Sequence, residues 1–122
     1  MNIALWIVSG LLALGFVAAG GMKLATPKKR LFDKGMTYVE DFTAAQVKMI
    51  GALEVLGAIG LIVPAFVDGM HWLVPAAATG LLLVMIGAVT THLRRKELSV
   101  APLALGLLAA FVAVGRFWIQ TL

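Results

Sequence analysis

The chain has 122 residues, of which 61% are hydrophobic and 13% are charged, and its formal net charge is +4 at neutral pH. A soluble domain has about 45–50% apolar and about 25% charged residues, so this composition is too apolar for a soluble domain of this length. Cysteine is absent, which excludes disulfide catalysis, thiolate metal sites and iron–sulfur clusters. The basic residues lie beside apolar segments and not along one face, which argues against a nucleic-acid-binding protein.

Four long apolar segments follow one another along the chain. A helix of about 20 residues crosses the hydrocarbon core of a bilayer, and backbone groups in lipid must be paired within the segment. The sequence therefore predicts an all-α integral membrane four-helix bundle that forms a single transmembrane domain over residues 1–122. The predicted helices cover residues 3–25, 44–66, 72–93 and 100–121. A cleaved signal peptide begins with basic residues, whereas the first basic residue here is Lys23, so we expect the first segment to be retained.

The predicted helix ends carry ordinary capping residues. Pro27 follows the first segment, and Pro64 ends the second. Thr43 and Gln46 have the spacing of a capping box, which predicts a helix start immediately after Thr43. Ser99 is expected to cap the fourth helix.

Lysine and arginine predict the orientation. Both the loop between the first two segments and the loop between the last two are basic, whereas the middle loop contains no lysine or arginine. The positive-inside rule therefore places these two loops in the cytoplasm and both termini outside. The basic residues of these loops are Lys28, Lys29, Arg30, Lys34, Arg94, Arg95 and Lys96.

The first loop has apolar residues at partly helical spacing, among them Met36, which suggests an interfacial segment over residues 28–42. Within it, Lys28, Lys29 and Arg30 are candidates for binding anionic lipid headgroups. The alternative is that these charges serve only to fix the topology.

Two ionisable residues of opposite sign lie inside the apolar segments. Glu54 lies near the middle of the apolar run 47–63, and Arg116 lies in the fourth segment. Charges at such depth are costly and usually have a specific role, so both are candidates for binding a ligand or a proton. Glu54 either has such a role or is a protonated hydrogen-bonding group between helices. Arg116 either pairs with Glu54, directly or through a water, or extends towards the outer headgroups.

Each segment also carries small residues at helical spacing, and membrane helices pack through small residues. We expect these rows to face the bundle interior and to place Glu54 and Arg116 there. The rows are Gly10, Ala13, Val17, Gly20 and Gly21; Gly51, Glu54, Gly57 and Ala58; Ala76, Gly80, Gly87 and Thr91; and Gly106, Ala109, Ala113, Arg116 and Gln120.

Histidine does not predict a metal site. His92 is at the end of the third segment, where a lone histidine more often makes an interfacial hydrogen bond than binds a metal. His71 and His92 are expected on opposite sides of the membrane, so they cannot jointly bind a haem. Lys48 is close enough to the cytoplasmic end of the second segment to extend to the interface.

The segments Gly21–Leu24, Gly51–Leu61, Met85–Ala88 and His92–Arg94 resemble those of the DoxX-like family of small bacterial membrane proteins. The resemblance covers most of the chain and is most specific in the second segment. It implies a four-helix bundle in the inner (plasma) membrane. By position, Lys23, Glu54 and His92 match recurrent polar residues of the family, which makes Lys23 and His92 further ligand- or proton-binding candidates.

The resemblance also implies a function. Namesakes of the family are small subunits associated with quinone-linked sulfur oxidation and with terminal oxidases, so the first hypothesis is an accessory subunit of a redox-linked complex. No cofactor motif is evident, quinone is implied by the resemblance alone, and we expect the chemistry to lie in partner subunits. The alternatives are a small transporter or lipophile-binding protein, and an assembly factor of a larger complex. Expected partners are the bilayer, membrane-complex subunits or further copies of the chain, and no nucleic acid.

Overall fold

The computed structural model describes residues 1–35, 37–97, 100–119 and 121–122. Five α-helices lie in this part of the chain: α1 (Asn2–Ala25), α2 (Lys28–Asp33), α3 (Ala44–Ile62), α4 (Leu73–Arg94) and α5 (Val100–Val114). Two short 3-10 segments cover Thr37–Asp41 and Val63–Phe66, and a π-helical turn covers Gly115–Ile119.

Four of these helices are long and apolar enough to cross a membrane. With their 3-10 and π-helical extensions they span Asn2–Ala25, Ala44–Phe66, Leu73–Arg94 and Val100–Ile119. This confirms the prediction of an all-α bundle with four membrane-spanning helices. The predicted cap Ser99, Met36 of the first loop and Gln120 of the fourth row lie outside the described residues.

The long helices form a closed bundle in which each packs against the next. The α1–α3 and α4–α5 pairs make the largest interfaces, α3 packs on α4, and α5 returns to α1. Helices α3 and α5 are therefore diagonal in the bundle. The core between the four long helices is an apolar cluster of Leu12, Phe16, Ala58, Leu61, Ala78, Leu81, Met85, Ala109, Val112 and Ala113.

We call the two ends of the bundle the basic end and the opposite end. The basic end contains α2, the 37–41 segment and residues 94–97, and the opposite end contains the start of α1 and the 63–72 connection. At the basic end a small apolar cluster of Leu31, Val39 and Val47 with Phe42 fastens the first loop to α3. Short helices thus occupy the segment predicted over residues 28–42.

The predicted capping box at the start of α3 is confirmed. The backbone N–H of Gln46 donates to the Thr43 hydroxyl at 3.1 Å, and the backbone N–H of Thr43 donates to the Gln46 side chain at 3.0 Å. These bonds pair two of the N–H groups that a helix start leaves without intrahelical partners.

The predicted rows of small residues are correct for α3 and α5 and mostly wrong for α1 and α4, where Gly20 and Thr91 are the buried members. In α1 only Gly20 of its row is buried, and the inward face consists of Leu5, Ser9, Leu12, Phe16, Gly20 and Lys23. In α4 Gly80 and Gly87 are exposed, and a Cβ added at either would meet no other atom within 4 Å. These two helices bury mainly larger side chains. Small residues recur on more than one of their faces, so helical spacing alone does not identify the buried face.

A buried ion pair as the candidate functional site

Helices α1 and α3 cross so closely that glycine is required at the contact. A Cβ added to Gly20 would lie 2.6 Å from the carbonyl oxygen of Gly51 and 2.8 Å from Cγ2 of Val55. A Cβ added to Gly51 would in turn lie 2.8 Å from the carbonyl oxygen of Gly20 and 2.8 Å from Cβ of Lys23. The two backbones therefore touch, as small residues allow in membrane bundles.

This crossing brings Lys23 and Glu54 together. Lys23 Nζ donates to Glu54 Oε1 at 2.6 Å, and the two residues are only 6% and 1% exposed. Glu54 is ten residues after the start of α3, which corresponds to roughly 15 Å along the helix axis. Glu54 thus lies well inside α3, Lys23 reaches it from the last turn of α1, and each charge compensates the other.

The structure identifies the partner of Glu54, which the sequence left open. Its carboxylate binds Lys23 and not Arg116, because α1 is the neighbour of α3 whereas α5 is diagonal to it. Lys23 lies in the last turn of α1, and its long side chain extends across the interface. The ion pair therefore joins two antiparallel neighbouring helices.

Arg116 lies near the opposite end, in the π-helical turn that follows α5. Its Nη1 donates to Asn2 Oδ1 at 2.8 Å, and its guanidinium lies 5.5 Å from the ring centre of Trp6, which in turn lies 5.7 Å from that of Phe66. Arg116 is 3% exposed, so it packs inside the protein instead of extending to the headgroups. Its contacts fasten the end of the last helix to the start of the first.

Lys48 contributes a second polar contact between α1 and α3. Its Nζ donates to the carbonyl oxygen of Leu24 at 2.9 Å. The carbonyl groups in the last turn of a helix have no intrahelical partner and carry partial negative charge, which a lysine stabilises. Lys48 therefore caps α1 from the neighbouring helix.

A polar network at the basic end contains His92. Its Nδ1 lies 3.2 Å from Glu97 Oε2, and Arg95 donates through Nε to Glu97 Oε1 at 2.9 Å and through Nη1 to Asp41 Oδ1 at 2.9 Å. The hydrogen bond to Glu97 raises the pKa of Arg95 above its ordinary value, so this side chain remains charged at any physiological pH. The network connects the end of α4 to the 37–41 segment.

Sequence reasoning did not identify Arg95, Glu97 and Asp41 as members of one site. Glu97 follows His92 closely in the sequence, and a chain that folds back after a helix end brings such residues together. The contact between His92 and Glu97 was therefore predictable from the sequence. The contact with Asp41 is between loops 54 residues apart and depends on the packing of the bundle. The headgroup candidates Lys28, Lys29 and Arg30 lie in α2, where Lys29 and Arg30 are exposed and Lys28 is half-buried.

Neither of two grooves on the bundle surface is lined by Lys23 or Glu54. Glu54 and Lys23 are buried against each other, and both grooves have almost purely apolar linings. A ligand site needs a few convergent polar groups in a concave pocket. The geometry of the ion pair therefore suits it to fixing the α1–α3 interface.

Comparison with known proteins agrees with the fold. No curated protein and no solved structure gives a significant match to the chain. The model of the DoxX-like family matches residues 7–114, which include the second and third spanning segments, most of the first and fourth, and both residues of the ion pair. Since this match covers most of the sequence, the chain belongs to the DoxX-like family.

Proposed function

We propose that this small integral membrane protein is an accessory subunit of a redox-linked membrane complex and has no catalytic activity of its own. The observation that carries the proposal is the buried Lys23–Glu54 pair, in which the carboxylate inside the second spanning helix binds a neighbouring helix. The resemblance to small subunits of quinone-linked complexes supports the redox connection. Quinone chemistry then takes place on the partner subunits.

In this proposal the ion pair holds the bundle in one arrangement and the outer surface contacts the partners. Leu, Ile, Val and Phe side chains cover much of that surface, for example Ile7, Leu14, Leu56, Leu83 and Leu107. Association of membrane helices depends on shape and close packing, because lipid is as apolar as these side chains. A rigid surface of defined shape is what a subunit without its own chemistry contributes.

The test is mass spectrometry of the full chain, gently solubilised from its native membrane. We expect copurifying subunits that carry redox cofactors, in a fixed ratio to the chain. A homo-oligomer that contains neither partner subunits nor bound quinone would contradict the proposal. For the Glu54→Leu variant of the next paragraph, Lys48→Met is the matched control, since it removes a lysine of the same interface without removing a member of the buried pair.

An assembly factor is the second candidate, and the buried position of the ion pair favours it. The two candidates differ in what Glu54→Leu does to the partner complex. If the chain is a resident subunit, the variant lowers the specific activity of the complex that still forms. For an assembly factor, the variant lowers the amount of complex and leaves the activity per complex unchanged.

A further inference from the structure

A groove of about 230 Å³ lies between α4 and α5 in the half of the bundle nearer the basic end. Met85, Ile86 and Thr90 line it on α4, and Pro102, Gly106 and Ala110 line it on α5. The hydroxyl of Thr90 donates to the Ile86 carbonyl oxygen at 2.8 Å, so this polar group is already paired within its own helix. The groove therefore offers an apolar slot at the height of the acyl chains.

Arg94 lies directly beyond the end of this groove. Ile86, Thr90 and Arg94 follow one another at four-residue intervals and so lie on one face of α4. Arg94 is exposed, and among the described residues it makes no hydrogen bond or ion pair. The adjacent Arg95 differs, because Glu97 and Asp41 already bind its guanidinium.

We propose that this groove binds an anionic phospholipid, with one acyl chain in the slot and the phosphate on Arg94. The proposal rests on charge complementarity, since the Arg94 guanidinium lies on the same face of α4 as the residues that line the groove and is available to a phosphate. Guanidinium binds phosphate through two parallel N–H···O bonds, which gives the site a preference beyond simple attraction. It depends on the membrane location of the chain and not on the proposed redox function.

The test uses the purified full chain in detergent with added phosphatidylglycerol or phosphatidylcholine of identical acyl chains, and native mass spectrometry measures the retained lipid. We expect the wild-type chain to retain phosphatidylglycerol in preference. Arg94→Gln should reduce this preference about fivefold, as expected for one basic side chain near anionic lipid. Arg94→Lys should retain part of the preference, because it keeps the charge but loses the two-point geometry.

Lys34→Gln is the matched control, since it removes an exposed charge from the same end of the bundle but from the end of α2, outside the headgroup candidates Lys28, Lys29 and Arg30. It should leave the preference unchanged, and an equal loss in both variants would show general surface attraction and overturn the proposal. Ala110→Phe should fill the slot and reduce the retention of both lipids. If that variant does not fold, the contrast between Arg94→Gln and Lys34→Gln still decides. If a short-chain ubiquinone displaced phosphatidylglycerol equally well from the wild type and from Arg94→Gln, the occupant would not be an anionic phospholipid.

Discussion

The α1–α3 and α4–α5 interfaces are the two largest in the bundle, and they are built differently. At the first, Gly20 and Gly51 bring two backbones into contact, and the Lys23–Glu54 pair lies beside the crossing. At the second, the nearest atoms to a Cβ added at Gly106 belong to the side chains of Met85 and Leu82, and an apolar groove remains open on the surface. The chain contains glycines in both helix pairs, so glycine content alone does not determine how closely two helices approach.

The difference lies in where the glycines point. Gly80 and Gly87 of α4 face outwards and bring no helix of this chain closer, whereas Gly20 and Gly51 face each other. Close approach at α1–α3 in turn keeps Lys23 and Glu54 out of reach of lipid. A buried charge is tolerated only with a partner in good geometry. Close glycine packing and the ion pair therefore support one another.

Removing one charge tests this interdependence with the largest expected effect. Lys23→Met leaves Glu54 buried without its partner, and we expect a loss of about 3 kcal/mol in the free energy of unfolding. The measurement is denaturant unfolding in detergent, followed by circular dichroism. The double variant Lys23→Met, Glu54→Met should be less destabilised than the single one, because it leaves no unpaired charge. Additive losses would show that the two side chains are not coupled.

Gly20→Ala tests the close crossing itself. The added Cβ would meet the carbonyl oxygen of Gly51, which as a backbone atom cannot move aside without separating the helices. We expect a loss of about 1–3 kcal/mol in the same unfolding experiment. Gly10→Ala is the control on the same helix, since its Cβ meets nothing within 4 Å. That control should be neutral or slightly stabilising, because alanine favours the helix.

Lys96→Gly tests whether the end of α4 is strained. Lys96 has a φ of 56°, and the backbone N–H of Glu97 donates to the His92 carbonyl oxygen at 2.9 Å, which is the pattern of a helix end that prefers glycine. We expect the variant to gain about 1 kcal/mol of stability. Gly35→Ala, at a φ of 101°, should lower the midpoint of thermal unfolding. A loss of stability in Lys96→Gly would mean that the lysine makes a favourable contact there.

Gly106→Ala has the smallest expected effect and completes the comparison of the two interfaces. Its Cβ would lie 3.2 Å from Cβ of Met85, so a shift of a few tenths of an ångström in α4 accommodates it. The higher helix propensity of alanine offsets this strain, and we expect a change within about 0.5 kcal/mol. A loss as large as that of Gly20→Ala would show that α4 and α5 are packed as rigidly as α1 and α3.

Much of the fold was predictable from sequence, and the pairing of polar residues was not. Composition and segment length determine the four spanning helices, because lipid leaves the backbone no other arrangement. The partner of Glu54 depends on which helices are neighbours and on the reach of Lys23, neither of which appears in the hydropathy pattern. The connection between α1 and α3 contained a clue, since antiparallel helices that follow one another along the chain usually pack together.

The inward faces of α1 and α4 were predicted wrongly for a related reason. Small residues recur at helical spacing on several faces of α1, so Gly10 and Gly20 fit a row equally well by sequence. Only the position of α3 decides that Gly20 is the contact. Leu5 and Phe16, both fully buried, define the inward face of α1 as bulky.

The contacts between α1 and α3 have a consequence for membrane insertion. Lys23 and Glu54 lie on two consecutive spanning segments that are synthesised before α4 and α5, and Lys48 caps α1 with a side chain of α3. Each charged segment alone enters lipid at a cost, whereas the two as a hairpin enter with their charges already neutralised. We therefore expect the first hairpin to leave the translocon as one unit, before α4 and α5 have been made.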